Sequence, residues 1–346
     1  MSTIGTQRLA LVCASAVVLA LGVVGVDACS SSPSTGNVDF GLRDLSGRDF
    51  ALADMAGTVY DFSLAGKWVA EESTTSENLV SMFGVGSDLY AGGLNGVLLK
   101  SNNGGTTWVA ETTNLSGAIS AIWGSSPTDL YAVGDGGAIV HSTNGSDWSI
   151  QTTPTSEDLT SIWGSGTNDV WAVGSMGAVL HTTNGGGQWN LIDLGTTNTF
   201  NAVWGSSSSN VYIAGVGGDL RRSTDGGNGW SSLTSNLSTG INSMWGASAT
   251  DIYAVGDAGQ IIHTTNGGSS WTTQTSGVAG SLNRVHGIGS LVYAVGDGGA
   301  ILRTNNAGAT WTAETSGTSA ILQGISISSP AEIWVVGNDG TILKRN

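Results

Sequence analysis

The chain has 346 residues, of which 54 are glycine, 4 are proline and 11% are charged. Its 13 tryptophans and 40% hydrophobic fraction indicate a packed core, because disordered chains have few aromatic residues and many charges. A formal net charge of −15 with only 11 Lys and Arg residues argues against nucleic acid and anionic membrane surfaces as partners, since both are bound through clustered cations.

Residues 1–28 have the pattern of a signal peptide rather than of a folded element. Arg8 precedes an apolar stretch over residues 9–26, and the sequence VDAC ends at Cys29. This pattern resembles a bacterial lipoprotein signal, which implies lipidation of Cys29, although Asp27 departs from the usual small-residue box. Ordinary secretion and an uncleaved anchor are the alternatives. The resemblance predicts an outer-membrane or cell-surface lipoprotein, otherwise a periplasmic or secreted protein, with membrane contact only through the lipid.

Residues 29–66 differ from the rest of the chain. A short acidic and apolar phrase begins at Asp39, Asp49 and Asp61. The segment is too short to bury a core of its own. It is predicted to be a tether, or a strip that lies on the domain that follows.

Residues 67–346 contain a repeat marked by tryptophans at intervals of 40 or 41 residues. The seven copies are Trp68, Trp108, Trp148, Trp189, Trp230, Trp271 and Trp311. Each copy holds short β-branched and aromatic runs separated by Gly, Asn, Asp and Ser, which is typical of strands and turns. Four strands per repeat predict an all-β, seven-bladed β-propeller of four-stranded blades.

The ends of the chain predict how the ring closes. Three strands follow Trp311, and the missing fourth strand is present as residues 67–73. The N-terminal strand is therefore expected to complete the C-terminal blade. Pairs between third and fourth strands are expected to fix the register: Lys100–Glu111, Arg303–Glu314, Lys344–Glu71, His141–Gln151 and His263–Gln274. The alternative for the basic members of this position is an anion-binding ring.

The loop before most of the tryptophans follows the pattern Ser/Thr-x-Asn/Asp-x-Gly-x-x-Trp, and residues 142–148 fit it with one residue deleted. The pattern resembles the Asp-box, or BNR repeat, and the chain resembles BNR propellers related to the photosystem II assembly and stability factor family. Asx and hydroxyl side chains fasten such hairpins, so a structural role is predicted, with calcium binding as the alternative. These residues are Ser101, Asn103, Trp108, Asn144, Trp148, Asn184, Trp189, Asp225, Trp230, Asn266, Trp271, Asn306 and Trp311. No metal and no cofactor are predicted.

One position of the innermost strand carries an aromatic residue in most blades. Its members are Phe83, Trp123, Trp163, Trp204, Trp245, His286 and Ser326. Packing between blades is the favoured interpretation, and stacking of sugars is the alternative. The ring is polar at His286 and Ser326, with Arg284 nearby, and these three residues are the predicted ligand contacts. Separately, Asp135, Asp257, Asp297 and Asn338 follow glycine and predict two-residue hairpin turns.

BNR proteins include sialidases. A resemblance to sialidases implies an active site with three substrate-binding arginines and a tyrosine–glutamate pair. The propeller has few arginines, and its tyrosines share one repeat position. The photosystem II factor family implies a chaperone-like protein binder with an arginine-rich face, which this chain lacks. The sequence therefore predicts a monomeric, non-catalytic binding or scaffold module whose partner is an unknown glycan or envelope protein. A sialidase-like glycoside hydrolase and a chaperone-like assembly factor are the alternatives.

Overall fold

The computed structural model describes residues 51–53, 59–61 and 66–346. The first compact unit ends at Ala65, and within it β1 (Ala51–Ala53) pairs antiparallel with β2 (Val59–Asp61). The second unit is Gly66–Asn346. The predicted signal peptide, Cys29 and most of the predicted tether lie outside the described residues, so those predictions stay predictions.

The second unit consists of seven four-stranded antiparallel sheets, the blades of a propeller. The first strand of this unit is β3 (Trp68–Glu71), which precedes blade 1. Blade 1 contains β4 (Leu79–Val85), β5 (Asp88–Gly93), β6 (Leu98–Ser101) and β7 (Val109–Ala110), and blade 2 contains β8 (Ile119–Ser126), β9 (Asp129–Gly134), β10 (Ile139–Ser142) and β11 (Ser149–Ile150). Blade 3 contains β12 (Leu159–Gly166), β13 (Asp169–Gly174), β14 (Val179–Thr182) and β15 (Asn190–Leu191). The strands of blades 4–7 are β16 (Phe200–Ser207), β17 (Asn210–Gly215), β18 (Leu220–Ser223) and β19 (Ser231–Ser232); β20 (Ile241–Gly246), β21 (Ile252–Gly256), β22 (Ile261–Thr264) and β23 (Thr272–Gln274); β24 (Leu282–Ile288), β25 (Leu291–Gly296), β26 (Ile301–Thr304) and β27 (Thr312–Glu314); β28 (Leu322–Ser329), β29 (Glu332–Gly337) and β30 (Ile342–Arg345). The predicted fold class is confirmed.

Blade 7 is completed by the two ends of the propeller sequence, as predicted. Its strand order is β28-β29-β30-β3, with Trp68 opposite Arg345 and Glu71 opposite Ile342. The strand ends at Glu71, two residues earlier than expected. The pairing of β3 with β30 joins the two ends of the propeller sequence in one sheet, so the closure of the ring is held by backbone hydrogen bonds.

Most of the predicted register pairs are wrong. Glu71 is opposite Ile342, so the Lys344 side chain lies instead 3.7 Å from a carboxylate oxygen of Glu332 on the second strand. Lys100 likewise lies 3.5 Å from Asp88. His141 and His263 also contact an aspartate at the start of the second strand of their own blade: Asp129 is the first residue of β9, and Asp251 directly precedes β21. The reason is register: the residue three after each tryptophan lies level with the start of the third strand, not with its end.

One of those pairs is present. Arg303 Nε lies 3.4 Å from Oε1 of Glu314. Glu314 is opposite Ile301 rather than Arg303 in the register, so the contact is diagonal and depends on the reach of the arginine side chain.

The turns between second and third strands differ from the prediction of two-residue hairpins. In blade 2 they form a three-residue 3-10 turn, Asp135–Gly137, closed by hydrogen bonds between Ala138 and both Asp135 and Gly134. The middle residue, Gly136, has φ +66°. Asp135 Oδ2 also accepts the N–H of Ala118, at 2.8 Å, so the aspartate ties the turn to the start of the innermost strand.

The core lies between blades more than within them. One buried cluster joins Tyr131 and Ile139 of blade 2 to Leu159, Val170 and Trp189 of blade 3. In six of the seven repeats, the tryptophan packs edge-to-face on a second-strand aromatic ring of the preceding blade. The pairs are Trp68–Tyr293, Trp108–Trp334, Trp148–Tyr90, Trp189–Tyr131, Trp230–Trp171 and Trp311–Tyr253. Each such pair stabilises by about 0.5–1.5 kcal/mol beyond the area it buries, so successive blades are held together by the same contact.

Candidate functional site

The innermost strands of all seven blades line a cavity of about 340 Å³ at the centre of the ring. Three successive positions of the repeat supply most of its lining, and two of them carry its polar and aromatic side chains. The first of these two places Ser81, Ala121, Ser161, Ser243, Arg284 and Gly324 in the lining, whereas Ala202 of blade 4 lies outside it. The second is the aromatic position of the sequence analysis. The three predicted contact residues, Arg284, His286 and Ser326, all lie in the lining of this cavity.

The tryptophans of the second position pack against a glycine of the following blade. A Cβ atom added to Gly164 would lie 2.5 Å from Cη2 of Trp123, and one added to Gly287 would lie 2.8 Å from Cη2 of Trp245. The other two pairs are Trp163–Gly205 and Trp204–Gly246. Glycine is required because the indole occupies the space of a side chain. The contact supports packing between blades as the role of this position.

The aromatic position changes to histidine where the following blade has no glycine. Ile327 stands there in place of the glycine of the other blades, and its N–H donates to Nδ1 of His286 at 3.1 Å. Burial lowers the pKa of His286 to about 4, so the ring is neutral at pH 7 and can accept this bond. Ser326 is buried and faces Gly84 of blade 1, whose added Cβ would lie 3.0 Å from the serine Oγ.

Arg284 brings a positive charge into the cavity. It belongs to β24 in blade 6, and Nη2 donates to the backbone oxygen of Ser120 in blade 2 at 3.3 Å. The side chain therefore reaches from one wall of the cavity to another. Burial lowers the pKa of Arg284 from its ordinary value, but an arginine stays protonated at neutral pH.

Amide side chains near the start of the innermost strands join neighbouring blades. Nδ2 of Asn201 donates to the oxygen of Ile241 at 3.0 Å, and Nδ2 of Asn283 donates to the oxygen of Leu322 at 3.0 Å. Sequence reasoning misses this position. The available signal is the recurrence of asparagine at intervals of 41 residues, through Asn242.

Three histidines form hydrogen bonds with aspartates in an arrangement that resembles part of a catalytic triad. Nε2 of His181 lies 2.6 Å from Oδ1 of Asp169, whose Oδ2 accepts the hydroxyl of Ser165 at 2.5 Å. The imidazole stacks on Trp171 with 3.7 Å between centroids. A triad needs the histidine between the serine and the carboxylate. Here the carboxylate lies in the middle, so the histidine is not placed to take the serine proton.

The tyrosines of the second strands are poor candidates for nucleophiles. Burial raises the pKa of Tyr253 to about 12, with a further contribution from the charge of Asp251. Burial also raises the pKa of Tyr293 to about 12. A nucleophilic tyrosine needs a lowered pKa or an adjacent base, whereas these phenols stay protonated at neutral pH.

The hairpins before the repeat tryptophans are fastened by their own side chains. Ser101 Oγ donates to Oδ1 of Asn103 at 2.9 Å and accepts the N–H of Gly105 at 2.9 Å, while Thr107 N donates to the same Oδ1. Equivalent hydroxyl-to-Asx bonds occur in Ser142–Asn144, Thr182–Asn184, Ser223–Asp225, Thr264–Asn266 and Thr304–Asn306. The Asx oxygens are thus occupied by donors of the hairpin.

The described part of the chain has neither a metal-binding cluster nor a membrane-spanning helix. No group of three or more His, Cys, Asp and Glu side chains in it could hold a metal ion. No helix in it combines the length and the apolar character needed to cross a membrane.

Comparisons with known proteins agree with the BNR resemblance. A family model described as photosynthesis system II assembly factor YCF48 matches residues 188–329, whereas no curated protein sequence matches. The structure of YCF48 from Cyanidioschyzon merolae is similar with a TM-score of 0.69 and 20% identity over 81% of this chain and 99% of that one. YCF48 bound to a D1 peptide is similar with a TM-score of 0.68 and 18% identity over 80% and 94%.

An ancestral GH74 enzyme is similar with a TM-score of 0.63 and 15% identity over 81% of this chain. The match covers 46% of that enzyme, so this chain spans less than half its length. At such identities the solved structures show a shared fold.

Proposed function

We propose that this chain is a non-catalytic binding module for an extended segment of a partner protein, because it is a seven-bladed BNR-repeat propeller similar to the YCF48 assembly factors. The proposal includes export of the chain and its anchoring through a lipid on Cys29. The similarity to a YCF48 structure that holds a D1 peptide is the observation that carries protein binding ahead of glycan binding. The chemistry of the partner follows from the charges of this chain.

One end of the ring, here called the loop face, is formed by two sets of segments. These are the turns between second and third strands and the connections from each fourth strand to the next first strand. Hydrogen bonds join the two sets, from Asp135 to Ala118, from Ser175 to Asp158 and from Asp297 to Ser281. Loops held by a rigid scaffold are the usual place for binding residues.

The loop face is acidic. Its carboxylates are Glu72, Glu77, Glu111, Asp135, Glu157, Asp158, Asp193, Asp219, Asp257, Asp297 and Asp339. These segments contain no lysine or arginine in residues 66–346. Arg221 of β18 reaches them, and it pairs with Asp219 at 3.0 Å. The opposite charge would therefore be expected on the partner, since complementary charges speed association and exclude wrong partners.

The acidic loop face of this protein differs from the arginine-rich face that the YCF48 resemblance implies. The partner segment is proposed to be basic or rich in amides rather than acidic. It need not be related to a photosystem protein.

The test uses two extended peptides that differ only at a set of charged positions. One peptide carries lysines at these positions and the other carries glutamates. Binding to the purified protein is measured by fluorescence anisotropy. Asp158→Asn with Asp339→Asn removes two charges from the loop face. Asp147→Asn with Asp225→Asn removes two charges from the hairpins at the opposite end of the blades and is the matched control.

We expect the lysine peptide to bind at least about tenfold more tightly at low salt, and less tightly as salt screens the charges. The loop-face variant should weaken binding and the control should not. Equal weakening in both variants, or no difference between the peptides, would contradict the proposal.

A second experiment tests the partner in cells. A photo-crosslinking amino acid replaces Val216, 41% exposed in a loop-face turn, or Val109, 64% exposed on an outer strand. A discrete cross-linked envelope protein is expected from position 216 and not from 109. A saturable signal on a glycan array, with no specific cross-link, would instead favour carbohydrate binding. The sialidase-like glycoside hydrolase would then again be a hypothesis to test.

A further inference from the structure

Arg284 occupies a repeat position that is small in every other blade. The equivalent residues are Ser81, Ala121, Ser161, Ala202, Ser243 and Gly324. The ring closes with those small residues at the same place on the innermost strand, so the fold does not need a long side chain there. The arginine has to be explained by what it contacts.

The contacts of Arg284 leave its charge uncompensated. A guanidinium carries five N–H donors, and within residues 66–346 Arg284 makes one hydrogen bond, the 3.3 Å contact to the Ser120 oxygen, and no ion pair. The other arginines of this part of the chain differ. Arg221 pairs with Asp219, Arg303 and Arg345 pair with Glu314, and Arg222 donates to Asn210 and Gly267.

The surroundings of Arg284 also favour an anion. No carboxylate lines the cavity, although the chain as a whole has a net charge of −15. Ser161 and Ser243 contribute hydroxyls, and their Oγ atoms accept the N–H groups of Val203 and Val285. Each of these hydroxyls can still donate its own hydrogen. Arg284 is partly withdrawn from solvent, where a charge without a partner is costly, and a bound anion would supply the partner.

We propose that the central cavity binds a small organic monocarboxylate, held by Arg284 with hydroxyl donors such as Ser161 and Ser243. A planar carboxylate matches the two parallel donors of a guanidinium. A single charge is favoured because Arg284 is the one Lys or Arg side chain in the lining. The tryptophan walls suit an apolar or aromatic body, and a cavity of about 340 Å³ reaches the usual size of a small-molecule site, roughly 300 Å³ or more.

This site is separate from the loop face and does not rest on the proposed protein partner. Benzoate is the probe, benzamide is its neutral isostere, and sulfate tests whether any oxyanion is accepted. Binding of each to the purified protein is measured by titration calorimetry at one ionic strength.

Arg284→Ser installs the residue of blades 1, 3 and 5 at this position, so the variant is expected to fold. Arg303→Gln is the control, since it removes the same charge from the outer part of blade 6. Urea unfolding of both variants verifies that they are folded before binding is measured.

We expect benzoate to bind, benzamide and sulfate to bind at least about tenfold more weakly, and Arg284→Ser to lower benzoate affinity by about tenfold or more while Arg303→Gln leaves it unchanged. Absence of benzoate binding, equal binding of benzoate and sulfate, or retention of benzoate by folded Arg284→Ser would each overturn the proposal.

Discussion

Trp68 donates a hydrogen bond from Nε1 to Oε2 of Glu314 at 2.9 Å, across 246 positions of sequence. The same carboxylate accepts two hydrogen bonds from Arg345, at 3.0 and 3.2 Å. Glu314 belongs to blade 6, whereas Trp68 and Arg345 are opposite one another in the two terminal strands of blade 7. One half-buried side chain thus holds both ends of the propeller against the neighbouring blade.

Replacement of this carboxylate should destabilise the ring. Glu314→Ala leaves the Trp68 indole and the Arg345 guanidinium without their acceptor, in a place where the carboxylate is 13% exposed. We expect a loss of about 2–4 kcal/mol in the free energy of unfolding, seen as a fall of roughly 5–10 °C in Tm.

Glu111→Ala is the matched control for that variant. Glu111 occupies the same repeat position in blade 1, and no hydrogen bond or ion pair to its side chain is present in residues 66–346. The control should cost less than about 1 kcal/mol. Equal losses in the two variants would mean that Glu314 matters for its position in the strand and not for closing the ring.

The tryptophan ring of the cavity predicts a strict requirement for glycine at Gly164. A Cβ atom there would lie 2.5 Å from Trp123 and 2.8 Å from the backbone oxygen of Asp169. Gly164→Ala must therefore displace an indole or a strand, at a cost of about 1–3 kcal/mol. Urea unfolding measures the change.

Gly166 lies on the same strand and provides the comparison. Nothing lies within 4 Å of a Cβ atom added to it, and its φ is outside the left-handed region. Gly166→Ala should change stability by no more than about 0.5 kcal/mol. If Gly164→Ala were equally silent, packing between Trp123 and blade 3 would not be what fixes this position.

The spacing of the tryptophans was enough to predict the fold. A period near 40 with four strand-like runs leaves little choice of architecture, and the three strands after Trp311 require a fourth from the other end of the propeller. The partners of Lys344 and Lys100 were not predictable in the same way. Spacing along one strand does not tell which neighbouring strand a long side chain faces, so it does not predict the contacts with Asp88 and Glu332 at the start of the second strands.

The candidate site was predictable only in outline. The break in the aromatic position singled out Arg284, His286 and Ser326, and the structure brings all three into one cavity. The cause of the break is invisible without the register between blades, which sets His286 against Ile327. The single hydrogen bond of Arg284 likewise cannot be predicted from the sequence, because it joins residues of two blades on different sides of the cavity. Contact of these residues with a ligand stays a prediction.

The lipid anchor can be tested independently of what the propeller binds. We expect the chain expressed in a bacterium to incorporate a labelled fatty acid and to sediment with membranes. Cys29→Ser should abolish both. Asp27→Ala, which restores a small residue to the box before the cysteine, should preserve or increase labelling. Label that persists in Cys29→Ser would contradict lipidation at this residue, and an unlabelled wild-type chain in the soluble fraction would favour ordinary secretion.

His286 should make the stability of the propeller depend on pH. Burial lowers its pKa to about 4 in the folded chain, against about 6.5 when unfolded. The unfolded state therefore binds more protons between these two values, so the stability due to this group is fully present above pH 6.5 and is lost as the pH falls towards 4. The loss reaches about 3 kcal/mol for a shift of this size.

Other groups also titrate in this range, so the prediction concerns a difference between two proteins. His286→Gln keeps a side-chain acceptor for the N–H of Ile327 but does not titrate. The free energy of unfolding in urea, measured at intervals from pH 7 to pH 4, should fall more steeply for the wild type than for the variant. Parallel curves would show that the imidazole is not protected from protonation, and that the centre of the ring admits enough water to solvate a charged histidine beside Arg284.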